Sequence, residues 1–196
     1  NVVAGDANGD IGWSIAGLMP ARGQAGIGST FPLTTETAGY AWQGALAPSA
    51  YPVLRNPAAG QLSTANSRQL GGDGAKVIGD GGFDIGARNR QIRDRLAALG
   101  GGADVKGVYS VAMDDRAIFI APWRERALKV LDAAAVDGNP QRAEFQRLLK
   151  DSWSGRASVD SVGYRLARHF MWALHEELYD SANEEMAQLD DKATAA

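Results

Sequence analysis

A chain of 196 residues, 45% of them hydrophobic and 22% charged, is long enough to bury a core in one or two domains and has the balance of an ordinary soluble globular protein. Its net charge of -3 gives no reason to expect nucleic acid or an anionic membrane as partner, and no apolar run approaches the roughly 20 residues that span a bilayer. There are no cysteines, so disulfides and thiolate metal sites are excluded while the redox compartment stays open.

The chain enters at Asn1, not Met, directly into the apolar run Val2-Val3-Ala4 with no signal peptide ahead of it. This reads as a processed chain or a piece of something longer. Sixteen of 24 glycines and five of seven prolines lie at or before residue 85, and the remainder is charge-rich and helix-periodic. The expectation is therefore a strand-and-loop segment over 1–85 and a helical region over 86–196.

In the front segment, Val2–Gly5 and Ile11–Leu18 are short apolar runs joined by Asp6-Ala7-Asn8-Gly9-Asp10, where Asn8-Gly9 is a hairpin signal. The loop faintly resembles the start of a calcium loop, but it lacks the distal Glu and the flanking helices. Residues 19–55 form a long irregular passage holding Pro20, Pro32, Pro48 and Pro52, with Tyr40 and Trp42 as anchors. Asn56-Pro57 through Gly60 makes a tight turn, which feeds a short strand over Gln61–Ala65 that ends at Asn66. A side-chain amide at the rim of a strand can aim a hydrogen bond, although turn-forming Asn is the plainer role for such a residue. The glycines at 71, 72, 74, 79, 81 and 82 read as a mobile surface loop, since no Gly-Lys-Ser/Thr follows them. Asp73, Asp80 and Asp84 in and beside it are candidate ligands for a hard cation such as calcium.

The back half predicts helices over about 87–99, 104–113, 117–135, 140–150 and 158–180, the last capped by Ser158, with a disordered tail from Lys192 to Ala196. Ile92, Leu96 and Leu99 share a face of the first of these helices, which Gly100-Gly101-Gly102 stops; Pro122 marks a kink or a fresh start in the third. Arg88 sits in the first turn of the first helix, where a cation opposes the helix dipole and needs a compensating partner. His169 and His175 are six apart, lie on different faces and cannot pair on a metal by themselves.

Several short motifs stand in a fixed order along the chain: Gly9-Asp10-Ile11-Gly12-Trp13, Pro20-Ala21-Arg22, Trp42-Gln43-Gly44, Asn56-Pro57 through Gly60, Thr64-Ala65-Asn66, Arg88 with Ile92, and Trp153-Ser154-Gly155. Together they resemble an internal part of the β-subunit of the penicillin acylase family of N-terminal-nucleophile (Ntn) hydrolases, which includes acyl-homoserine-lactone and cephalosporin acylases. The likeness covers about residues 1 to 180. It implies an α+β fold, a fragment of an Ntn-hydrolase αββα sandwich with hairpin and loops in front and a mostly helical back half. It also implies amide hydrolysis by a serine freed as a chain's first residue, whose own α-amine serves as base.

Carried residue by residue, the resemblance makes Asn66 an oxyanion donor and Arg88 the arginine that orients it. Arg90 is the fallback if the helix register is off by two. It also implies a periplasmic or secreted bacterial enzyme, small N-acyl amide substrates such as penicillins or homoserine lactones, and no cofactor. The nucleophilic serine, the backbone oxyanion donor and most of the acyl pocket are not in this chain, and Ser67 stands where relatives commonly have a second asparagine. The Gly-rich loop differs as well, so a family calcium site does not transfer to Asp73 or Asp80. The expectation is that the chain alone is inactive, that its partners are the α-subunit and the rest of the β-subunit, and that exposed strand edges favour self-association. The competing reading is a non-catalytic helical interaction module.

Overall fold

The computed structural model describes residues 1–23, 42–79 and 82–194. Helices predominate, with two small sheets, so the molecule is α+β. By contact it divides into two units, Asn1–Met113 and Asp114–Ala196.

The first unit starts with the hairpin that Asn8-Gly9 encodes. Strands β1 (Val2–Gly5) and β2 (Ile11–Ser14) pair antiparallel from Val2 opposite Ser14 to Gly5 opposite Ile11. Gly9 takes φ 87°, and the Asp6 carboxylate accepts the Asn8 and Asp10 amides at 2.9 and 3.0 Å, so the turn closes on its own side chain. Strands β3 (Pro20–Arg22) and β4 (Trp42–Ala45) form a separate two-stranded sheet with a register shift between Pro20 and Arg22. Trp42 is no anchor: it is 67% exposed on β4. Tyr40 and Pro32 lie outside the described residues. Strand β5 (Leu54–Arg55) completes the first sheet in the order β1-β2-β5, with Trp13 opposite Leu54. Trp13, 2% exposed, anchors this sheet and donates its indole N–H to Asn1 Oδ1 at 2.9 Å.

Two expectations for this unit fail for physical reasons. Gln61–Ala65 forms no strand: no neighbouring strand pairs with it among the described residues, and Asn66 turns the backbone to φ 59°. The glycine-rich stretch is not all loop, because Gly72–Ile78 forms helix α1. Asp73 in its first turn pairs with Lys76 at 2.8 Å, and Gly79 stops it at φ 73°. Helix α2 spans Ala87–Leu99 and ends at Gly100, φ 66°. Helix α3 (Val105–Ala112) packs on it, capped by Asp104, which accepts the Gly107 amide at 2.6 Å.

The second unit is a helical cluster built on small residues. Helix α4 (Ala121–Val130) carries Pro122 in its first turn, so the proline starts a helix and kinks nothing. The chain breaks after Leu131 because Asp132 caps a new short helix, α5 (Ala133–Val136), accepting the Ala135 amide at 2.8 Å. Asn139 likewise caps α6 (Pro140–Asp151) through the Arg142 amide at 3.0 Å. Ala127, Leu149 and Ala167 are fully buried where α4 and α6 close on α7 (Val162–Thr194), the two alanines allowing close approach and Leu149 filling the space. Phe145, Trp153, Phe170 and Met171 pack around them.

Ser158 does not cap α7; a turn from Ser158 to Ser161 precedes it, and the buried Ser161 hydroxyl accepts the Ser154 amide at 3.2 Å instead. Helix α7 also runs on to Thr194, past the predicted end at 180 and into the stretch expected to be disordered. Residues 180–194 contain neither Gly nor Pro and hold three alanines, so nothing local stops the helix. Among the described residues no helix is long and apolar enough to cross a membrane.

Candidate functional site

The site rests on a clasp at the end of β5. Asn56, at φ 44°, continues the ladder with both backbone and side chain: its amide donates to Ile11 O at 2.9 Å and its Oδ1 accepts the Ile11 amide at 2.8 Å. Asp10 ties the corner, accepting from Asn56 Nδ2 at 2.8 Å and from Arg55 at 2.6 Å. The Arg55 hydrogen bond, then that of Asn56, holds the Asp10 carboxyl below its ordinary value. The turn after it closes through the Gly60 amide on Pro57 O at 2.8 Å, with Gly60 at φ 65°. The chain then returns beside α2, where Gln61 Nε2 reaches Arg93 O.

Asn66 and Arg88, 22 residues apart in sequence, meet here. Arg88 Nη2 donates to Asn66 Oδ1 at 2.9 Å, to Ala65 O at 3.2 Å and to Asp84 Oδ2 at 2.7 Å. The Asp84 amide donates to Asn66 O at 2.9 Å, so the three residues form one closed loop of contacts. Asp84 is the partner that a cation in the first turn of α2 requires, and it sits four residues before Arg88. Arg90 does not reach Asn66; its nearest carboxylate is Asp94 at 3.7 Å. The guanidinium therefore fixes which way the Asn66 amide points, with its oxygen toward Arg88 and its Nδ2 hydrogens away from it. Among the described residues Nδ2 has no acceptor, and neither do Nε and Nη1 of Arg88. A cation on the carbonyl end of a carboxamide polarises it and strengthens its N–H as a donor. This arrangement can present a fixed donor to developing negative charge.

Asn66 opens on a cavity of about 170 Å³ that Asn1, Trp13, Ile15, Ser67, Gln69 and Phe83 also line. Ser67, 5% exposed, accepts from Gln69 Nε2 at 3.3 Å, and its hydroxyl hydrogen has no acceptor among the described residues. Sequence reasoning named Asp84 only as a cation ligand and gave Gln69 no role. The Asp84 to Arg88 spacing was readable as a helix-type ion pair, whereas nothing in the pattern marks Gln69.

Asp73 and Asp84, two of the candidate calcium ligands, each face a cationic side chain, Lys76 and Arg88. Asp80 lies outside the described residues. Among the described residues no three His, Asp or Glu gather as a metal group. His175 meets Trp172 edge-on and Tyr179 at a tilt, with ring separations of 6.3 and 5.0 Å.

A sheet-end clasp, a turn, an exposed asparagine and an arginine locked on it make up a hydrogen-bonding site whose amide donor has no acceptor among the described residues. The family model for penicillin amidase matches residues 1–195, and the chain belongs to that family. Comparison with curated proteins and with solved structures finds no match.

Proposed function

We propose that this chain is the part of an amide-cleaving acylase that supplies the oxyanion side of its active site. Asn66 Nδ2 donates to the tetrahedral oxyanion, and Arg88, braced by Asp84, holds the amide in that orientation. The attacking serine, with its α-amine as base, belongs to polypeptide outside residues 1–196. The α-subunit and the remainder of the β-subunit complete the αββα sandwich and the acyl pocket. The enzyme works in the periplasm or outside the cell on small N-acyl amides, without a cofactor.

One observation carries this reading: the 2.9 Å contact between Arg88 and Asn66 Oδ1, which leaves the amide nitrogen free among the described residues. Membership of the penicillin amidase family supports it.

The test is Asn66→Ala in the full-length acylase. Loss of one such donor costs about 3–4 kcal/mol of transition-state stabilisation, so kcat falls by roughly 10²–10³ with processing and fold retained. Unchanged turnover removes Asn66 from the oxyanion hole. The 196-residue chain by itself is expected to release no chromophore from a phenylacetyl anilide. Turnover by the chain alone would show that it holds its own nucleophile.

A further inference from the structure

Beside the Asn66 cavity lies a second, more open pocket of about 460 Å³, and its lining differs in kind. Arg68, Arg90 and Arg93 border it, together with Ser67, Phe83 and Asp84. Ser67 and Phe83 also line the cavity that holds Asn66, and Asp84 is the carboxylate that braces Arg88, so the two hollows adjoin. The charges do not cancel. Arg88 takes Asp84, and Arg93 takes Asp94 through both Nε and Nη2 at 3.2 and 3.0 Å, with Arg90 further off at 3.7 Å. Arg68 stacks over the Phe83 ring at 5.8 Å and makes no ion pair among the described residues. Three guanidinium groups and one carboxylate, Asp84, thus line the pocket, in a chain whose net charge is negative. The Phe83 ring gives Arg68 a flat, semi-apolar seat, and a guanidinium without a carboxylate partner among the described residues is suited to grip a carboxylate. Buried Ser67, its oxygen already engaged by Gln69, adds one hydroxyl donor at the wall between the two hollows.

We propose that this pocket is an anion subsite that takes a carboxylate of the substrate. The amides cleaved at Asn66 then carry a free carboxylate, as N-acyl amino acids do, and neutral acyl lactones are the poorer ligands. Arg68, with no carboxylate partner among the described residues, holds the carboxylate while Arg90 and Arg93 contribute field. The inference rests on the hydrolase reading for its meaning but not for its measurement, because binding needs no nucleophile.

The experiment is calorimetric titration of the 196-residue chain with phenylacetylglycine and with its neutral methyl ester. The acid should bind about tenfold more tightly at low salt, the order of one charge-assisted hydrogen bond in a half-exposed site. The gap should close at about 1 M salt, where the Debye length falls to about 3 Å. Arg68→Gln and Arg93→Gln should each bring the acid down toward the ester, and Lys129→Gln on α4 should leave the preference intact. Both arginines are exposed, so circular dichroism should show the fold unaltered. Equal uptake of acid and ester, no measurable uptake of either, or a preference that survives the Arg68→Gln/Arg93→Gln pair overturns the subsite. The two readings fail separately. Unchanged turnover of full-length Asn66→Ala overturns the hydrolase assignment and leaves acid binding standing. Lost acid preference overturns the subsite and leaves the Asn66 result standing.

Discussion

Asn66 combines two properties that a substitution can separate. It holds φ 59°, a conformation that Asn and Asp tolerate better than other side chains, and it presents an N–H donor. Asn66→Asp keeps the turn and the size, gains an ion pair with Arg88, and loses the donor. If Asn66 plays the oxyanion role proposed above, this variant of the full-length protein should fold normally and lose about 10²–10³ in kcat. If Asn66 were a turn residue alone, Asn66→Asp would leave kcat unaltered. At this scale, the pairing of positions 66 and 88 was legible only through resemblance to a family. Their sequence separation gives no local signal. Asp84 was legible from physics, because a carboxylate four residues before an arginine at a helix start is an ordinary helix pair. The left-handed backbone at Asn66 was not legible, because nothing in Thr64-Ala65-Asn66 distinguishes a strand end from a turn until the neighbouring strand is found missing.

The elements that sequence reading located well are those with strong local punctuation. Asn8-Gly9 encodes the hairpin, and Ala87–Leu99 runs up to a glycine triplet. The elements it missed depend on something distant. Gln61–Ala65 needed a partner strand, and the helix α7 start is set by the crossing at residues 152–153. There Gly163 donates to Ser152 O at 3.1 Å, and a Cβ on it would lie 2.9 to 3.1 Å from the backbone of Trp153 and Ser152. Gly163→Ala should therefore destabilise the fold by about 1–3 kcal/mol, the usual cost of overpacking, although alanine is the better helix former. A urea midpoint that rises in this variant would contradict the close crossing.

The Asp10 clasp predicts a pH dependence with a definite sign. Its carboxyl is held below the ordinary value, so the contribution is present above the unfolded value of about 3.9 and is lost as pH falls through the lower folded value. Wild type should exceed Asp10→Asn in urea midpoint near neutrality and converge with it on acidification. A difference that grows as pH falls would reverse the assignment.

At the scale of the whole molecule, the two units differ in how much they bury. In the second unit, Ala127, Leu149 and Ala167 are sealed at 0% exposure within one continuous apolar cluster. Arg124 closes one end of that cluster, donating to Leu149 O at 2.8 Å and stacking on Trp153 at 5.4 Å. In the first unit every residue of β1 and β4 is exposed, and burial concentrates at Trp13, Met19, Ser67 and Val111. Local opening energies follow burial of the apolar contacts around each hydrogen bond, so protection should rank the same way. In hydrogen exchange of the intact chain, the amides of α4 and α6 should be the slowest and those of β1 and β4 the fastest among paired residues. The loop of contacts joining Asn66, Asp84 and Arg88 belongs to the first unit, the less sealed of the two. Binding regions are drawn from the low-stability end of a fold, and a carboxylate seated on Arg68 should slow exchange at residues 66–69 and 83–90 while leaving α4 and α6 unchanged. Slowing spread evenly through both units would mean that the ligand acts on global stability and not on this hollow.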